Sequence, residues 1–131
     1  MKRAILFVSP SADDARALSE MLSRVALRVR HAPDLGRARQ MLAGEAFGAV
    51  LTESRLPDGS WEDVIRLAER AARRVAVVVT DRLADARFWA DVLEFGAYDL
   101  LPKPFTSGEV QRILANAVRD PPRLTRAAPA A

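Results

Sequence analysis

Polar side chains sit at the ends of apolar runs in this chain, and their types limit the chemistry available. Glu53 closes the run Ala49-Val50-Leu51-Thr52 and is followed by the turn Leu56-Pro57-Asp58-Gly59. Ser9-Pro10 follows the run Ala4 to Val8, Thr80-Asp81 follows Val75 to Val79, and Lys103 follows Tyr98 to Leu101. Carboxylates, hydroxyls and an ammonium gathered in one crevice can hold an ion, or they can neutralise one another. Sites in open α/β sheets form beyond the carboxyl ends of the strands, which is where these residues fall. Alone, Glu53 reads as a solvated acid at a strand end; the company it keeps makes it a candidate. Asp13-Asp14 offers further oxygen ligands, or ordinary first-turn acids that complement a helix dipole. Arg70, Arg73 and Arg74 offer a phosphate contact, or a solvated helix terminus.

Composition narrows the field. The chain has 131 residues, half of them hydrophobic, which suits one domain with a real core. It has no cysteine and a single histidine, His31, which excludes a disulfide framework, a thiolate nucleophile and a zinc set. Any metal chemistry must use oxygen ligands. The formal charge of +3 is weak evidence for nucleic acid, and neither a recognition helix nor an aromatic platform is evident. The apolar runs are too short to cross a bilayer, and Met1-Lys2-Arg3 leads directly into a strand, so a cytoplasmic protein is expected.

The elements that must position these residues alternate. Arg3 to Ser9 reads as a central parallel strand, and Ser11 begins a helix with Ala15, Leu18, Leu22 and Val25 at helical spacing. Leu27 to Ala32 alternates as an edge strand should, with His31 on its polar phase as a surface residue of no chemical role. Pro33-Asp34 opens a second helix that Gly44 ends, and the Glu53 strand follows. Trp61, Val64, Ile65 and Ala68 mark a third helix, and Val75 to Thr80 a fully buried strand. Leu83 to Phe95 is expected to be helical, Tyr98 to Leu101 a short last strand, and Thr106-Ser107-Gly108-Glu109 a capping box opening a final helix. Residues 1–119 then form one domain, with 120–131 a disordered tail or linker stub. Five strands alternating with five helices make a doubly wound parallel sheet with helices on both faces.

Glu53 with Leu56-Pro57-Asp58-Gly59, Thr80 at its strand end, and Phe95-Gly96-Ala97-Tyr98-Asp99-Leu100-Leu101-Pro102-Lys103-Pro104-Phe105 together resemble the response regulator receiver domain of two-component signalling and phosphorelays. The resemblance covers roughly residues 3 to 119. It implies a flavodoxin-like (βα)5 fold with strand order 2-1-3-4-5 and a cis Lys103-Pro104 bond.

The resemblance also sets what this chain lacks. Receivers carry a phosphoacceptor aspartate at the Glu53 position and hold Mg²⁺ with it, an acid pair after the first strand and a backbone carbonyl. Here the acid pair is replaced by Ser9 and Pro10. Mg²⁺ binding is therefore expected to be lost, leaving no cofactor, and Glu53 puts its longer carboxylate where a phosphoryl group would sit. Lys103 matches the family's lysine and should pair with Glu53, either as a phosphomimetic lock or as a neutral, inert pocket. Thr80 holds the switch hydroxyl's position, but its aromatic partner is replaced by Leu100, and Asp81 adds charge and bulk beside the pocket. The expected protein is a non-enzymatic pseudo-receiver, a phosphorylation-independent signalling module. Its partners would be a signalling protein, an output domain, or a second copy through the fourth helix, fifth strand and fifth helix. Phe88, Trp89, Phe95 and Tyr98 lie in that region, with Trp89, Val92 and Leu93 expected to point inward and Phe88 and Phe95 to flank them. The alternatives are a Mg²⁺-dependent receiver using Asp58 as a displaced acceptor, with Asp13 or Asp14 supplying metal, or the regulatory domain of a DNA-binding regulator.

Overall fold

Runs of branched apolar residues build the middle of the sheet, because a strand covered on both faces has no polar side to present. In the computed structural model, which describes residues 2–71, 74–83 and 85–120, the order is β1 (Arg3–Val8), α1 (Ala12–Met21), β2 (Leu27–Ala32), α2 (Leu35–Gly44), β3 (Ala49–Glu53), β4 (Arg55–Leu56), β5 (Gly59–Ser60), α3 (Trp61–Arg70), β6 (Ala76–Asp81), α4 (Ala86–Phe95), β7 (Asp99–Pro102) and α5 (Ser107–Arg119). Five strands pair in parallel in the order β2-β1-β3-β6-β7. This is the expected 2-1-3-4-5 order of a flavodoxin-like sheet, with a small hairpin inserted before the fourth strand.

Side chains alternate across each strand, so the sheet separates two apolar layers. Ile5, Phe7, Leu51, Val78 and Leu101 pack with α1 and α5. Leu6, Val8, Val50, Val77 and Val79 pack with α2, α3 and α4. The same alternation places Ser9, Glu53 and Thr80 on the α1 and α5 side, at the carboxyl edge.

Local features differ from the expected elements, among them the opening of α5, where Thr106 is the N-cap but makes no side-chain cap bond and its hydroxyl donates to Glu109 Oε1 at 3.2 Å in place of a capping box. The turn after Glu53 is a hairpin, with Arg55 opposite Ser60 and Leu56 opposite Gly59. A Cβ at Gly59 would lie 2.7 Å from Asp63 Oδ2 and 2.8 Å from Leu35 Cδ2, so the ends of those two side chains would have to shift to admit one. Helix α4 starts at Ala86 rather than Leu83, because Asp85 caps it by accepting the Phe88 amide at 2.8 Å. His31 is not an idle surface residue; its ring stacks on Phe7 and its Nε2 donates to the Ser9 carbonyl at 2.7 Å. Arg73 of the arginine cluster and tail residues 121–131 lie outside the described residues.

Asp58 shows how the hairpin joins the fold. Its carboxylate accepts the amides of Leu35 at 2.8 Å and Gly36 at 2.9 Å, at the start of α2. Those backbone bonds hold its pKa below the usual aspartate value. A carboxylate with a depressed folded pKa contributes stability above its unfolded pKa and loses it as pH falls. Asp58→Ala is therefore expected to lower Tm at neutral pH, and the gap from the parent should narrow as pH falls below about 4. Thermal melts of both proteins across that range check it; a gap that stays constant would count against the cap.

Candidate functional site

Each side chain of the site is delivered by the end of a strand or the start of a helix. Glu53 is the last residue of β3, and its neighbour in register on β6 is Thr80. Ser9 follows β1, and its hydroxyl donates to Glu53 Oε2 at 3.0 Å while accepting the Ser11 amide at 3.0 Å. Lys103 follows β7, and its peptide bond to Pro104 is cis. Its ammonium meets Glu53 Oε2 at 2.5 Å and Asp14 Oδ2 at 2.7 Å.

Asp14, which the sequence offers as a first-turn acid or as a ligand beside a displaced acceptor, is instead bonded to Lys103 in this pocket. Ser11 caps α1 by accepting the Asp14 amide at 3.1 Å, which sets the first turn of α1 over the strand ends. The signal was present: the first turn of a helix leaving β1 starts at the same sheet edge that receives Lys103. Its partner in the acid pair, Asp13, is exposed and makes only a 3.7 Å contact with Arg16. The expected Lys103–Glu53 pair is present, and Asp14 joins it, so that one ammonium is shared by two carboxylates.

The triad is largely enclosed. Side-chain exposure is 12% for Lys103, 15% for Glu53 and 33% for Asp14. Burial works against the Lys103 charge, but the bonds from Asp14 and Glu53 outweigh it and raise the ammonium pKa above the usual lysine value. The ammonium also lies 5.6 Å from the centroid of the Phe105 ring, which meets Phe7 edge to face. Beside the triad, Thr80 Oγ1 is buried with no hydrogen-bond partner among the described residues.

The remaining expected site residues are placed as follows. Pro10 is exposed at the rim and supplies no side-chain donor or acceptor. Asp81 ends β6, where its carboxylate is bonded by the Ser54 hydroxyl and, at 2.6 Å, by the Leu83 amide. Leu100 is buried in the layer against α3 and α4, across the sheet from the Thr80 side chain. Asp58 is not brought to the pocket, since both its oxygens are engaged at α2. In α4 the buried residue is Val92, while Trp89 is 49% exposed rather than inward. Phe88 and Phe95 lean on Trp61 of α3, and Arg66 covers the Phe95 ring. Tyr98 is half-buried against the α1 and α5 layer.

This arrangement does not fit a divalent ion as it stands. An ammonium already occupies the space between the carboxylates that could ligate one, and among the described residues no group of three or more His, Cys, Asp or Glu could hold a metal.

Comparison with known proteins gives the architecture its name. No family model matches the chain. A signal receiver domain from Vibrio parahaemolyticus superposes with a TM-score of 0.83 at 18% identity, over 91% of this chain and 92% of its own. The fold is that of a response regulator receiver domain. The receiver domain of a sensor histidine kinase from Pseudomonas aeruginosa, solved with magnesium coordinated in its active-site cleft, gives a TM-score of 0.78 at 25% identity over 92% of this chain and all of that one. The response regulator protein PilR of Pseudomonas aeruginosa is 32% identical over 120 residues, which is 91% of this chain and 27% of PilR. The chain spans about a quarter of the length of the curated relatives it matches. Among the described residues, no helix of this receiver fold is long and apolar enough to cross a membrane.

Proposed function

We propose that this chain is a pseudo-receiver of the response regulator family, a non-enzymatic cytoplasmic module that signals by docking a protein without accepting a phosphoryl group. The observation that carries this reading is the ion triad. Glu53 Oε2, at the acceptor position, already accepts from Ser9 and from Lys103, and Lys103 is held a second time by Asp14. Glu53 is one methylene longer than the family's aspartate, which moves its carboxylate into the space of a transferable phosphoryl group, and Lys103 holds it there. The docking partner is a signalling protein, an output domain in the full-length protein, or a second copy. Its seat is the α4 region, where Leu83, Trp89 and Phe95 are exposed.

The test is incubation with acetyl phosphate and Mg²⁺ followed by intact-mass measurement. No mass gain is expected, for the parent or for Glu53→Asp, because Ser9, Pro10 and the Lys103 bridge remain. A stoichiometric phosphoryl adduct on the parent would overturn the proposal, and its mapping to Asp58 would establish the displaced-acceptor alternative.

A further inference from the structure

We propose that a hollow at the amino edge of the sheet, at the far end from the Lys103 triad, binds a small phosphorylated ligand with an apolar ring, the chemistry of a nucleoside diphosphate. It is independent of how the triad works. The sequence offers Arg70, Arg73 and Arg74 as a phosphate contact or a solvated helix end, and Arg74 stands beyond the end of α3 on the lining of this hollow.

The hollow has a volume of about 750 Å³, within the range of about 300–1,000 Å³ usual for small-ligand sites. Three arginines reach it from separate elements: Arg3 at the start of β1, Arg74 before β6 and Arg119 at the end of α5. Among the described residues none of the three is in an ion pair. Arg119 Nη2 donates to the neutral Asn116 Oδ1 at 2.5 Å. The one carboxylate on the lining among the described residues, Glu45, has its two oxygens bonded by Arg30 at 3.1 and 2.7 Å, so it does not discharge the other three. Helix ends do not explain the set. The end of α5 favours a cation, which accounts for Arg119, but Arg3 is on a strand and Arg74 lies beyond the Ala71 cap of α3. The walls suit an apolar body, because Leu42, Phe47 and Val118, all partly buried, line the same space. A Cβ at Gly48 would lie 3.4 Å from Arg3 Nε and 3.0 Å from Val118 Cγ2, so the arginine is laid along that wall. Guanidiniums hold phosphate oxygens through paired bonds and stack on flat rings, which fits them to a ligand that carries both. Three such cations can balance a diphosphate. A nucleic-acid duplex could touch the rim of this hollow but not fill it.

Titration of the whole 131-residue chain with ADP, followed by amide shifts, tests this, with pyrophosphate and adenosine as separate probes. ADP should give saturable shifts centred on Gly44, Gly48, Ala76 and Arg119. Pyrophosphate and adenosine, each with part of the chemistry, should bind at least about tenfold more weakly, a difference of about 1.4 kcal/mol. Arg3→Gln and Arg74→Gln should each weaken ADP binding at least about tenfold, while Arg87→Gln, which removes an equal charge from the first turn of α4 at the opposite edge, should leave it unchanged. Arg3 and Arg74 are both exposed, so their variants should keep the parent fold, and either one decides the matter if the other does not. No saturable shift at this edge, undiminished binding by the folded arginine variants, or an equal loss in Arg87→Gln would each overturn the inference. So would pyrophosphate or adenosine binding as tightly as ADP. A DNA duplex that displaces ADP from these residues at lower concentration would make the edge a nucleic-acid surface and overturn it as well.

Discussion

Phe7→Ala is expected to lower the unfolding free energy by about 3–5 kcal/mol, the range for removing a large ring from a packed core. Phe7 is fully buried in the middle of β1, where it pairs in register with His31 on β2 and Leu51 on β3. Its ring meets the Phe105 ring at 6.4 Å and the His31 ring at 6.0 Å. A central strand between two others cannot collapse into the space, so most of the cavity should persist. Domains of this kind hold only about 5–15 kcal/mol in total, so the loss is a large share of it. The site should loosen with it, because Phe105 is the ring beneath Lys103. Phe7→Leu, which keeps most of the volume, should cost under about 1.5 kcal/mol. Urea denaturation of the three proteins measures this; a loss below about 1 kcal/mol for Phe7→Ala would mean the layer repacks freely.

The large features of the fold were legible because each has a strong local cause. Val75 to Val79 is apolar throughout and β-branched at every position but Ala76, which favours a buried strand, and Gly96 ends α4 at a φ of 126° that other residues avoid. The misses have causes of another kind. The β4 and β5 pairing involves two residues a side, too few for any periodicity, and it is stabilised by Asp58 bonding to α2, a contact made across the fold. The apolar spacing of α4 extends to Leu83 and predicts a helical residue there, but Asp85 stops the helix short of it. The same spacing predicts an inward Trp89. Val92, with Phe88 partly buried beside it, fills the space against the sheet, and Trp61 draws Phe88 and Phe95 toward α3, which leaves Trp89 outside.

The site divides in the same way. Ser9, Glu53, Thr80 and Lys103 could be located by counting to strand ends, since each strand end has one possible place at the sheet edge. Asp14 could not be assigned by that rule, because its reach depends on how α1 is set by the Ser11 cap. The Asp81 bonds to Ser54 and Leu83 depend likewise on the path of two loops. A residue delivered by a helix or loop is positioned by tertiary packing, and one sequence contains little of that information.

Lys103→Met should cost about 2–3 kcal/mol of stability, below the 3–5 kcal/mol for breaking a fully buried pair because Asp14 is one-third exposed. The loss comes less from the missing attraction than from two carboxylates left facing each other. Glu53→Gln in the same background should therefore recover part of it, and a double-mutant cycle would show the coupling directly. The pH dependence follows from the raised Lys103 pKa. A cation bound more tightly by the folded state contributes its stability fully below the unfolded lysine value of about 10.4, and loses it as pH rises through the higher folded value. The parent should thus lose stability relative to Lys103→Met at the alkaline end, while at neutral pH the difference between them holds steady. Denaturant melts at about pH 7, 9 and 11 measure it. A gap that closes already between pH 7 and 9 would mean that Lys103 is not held by the two carboxylates.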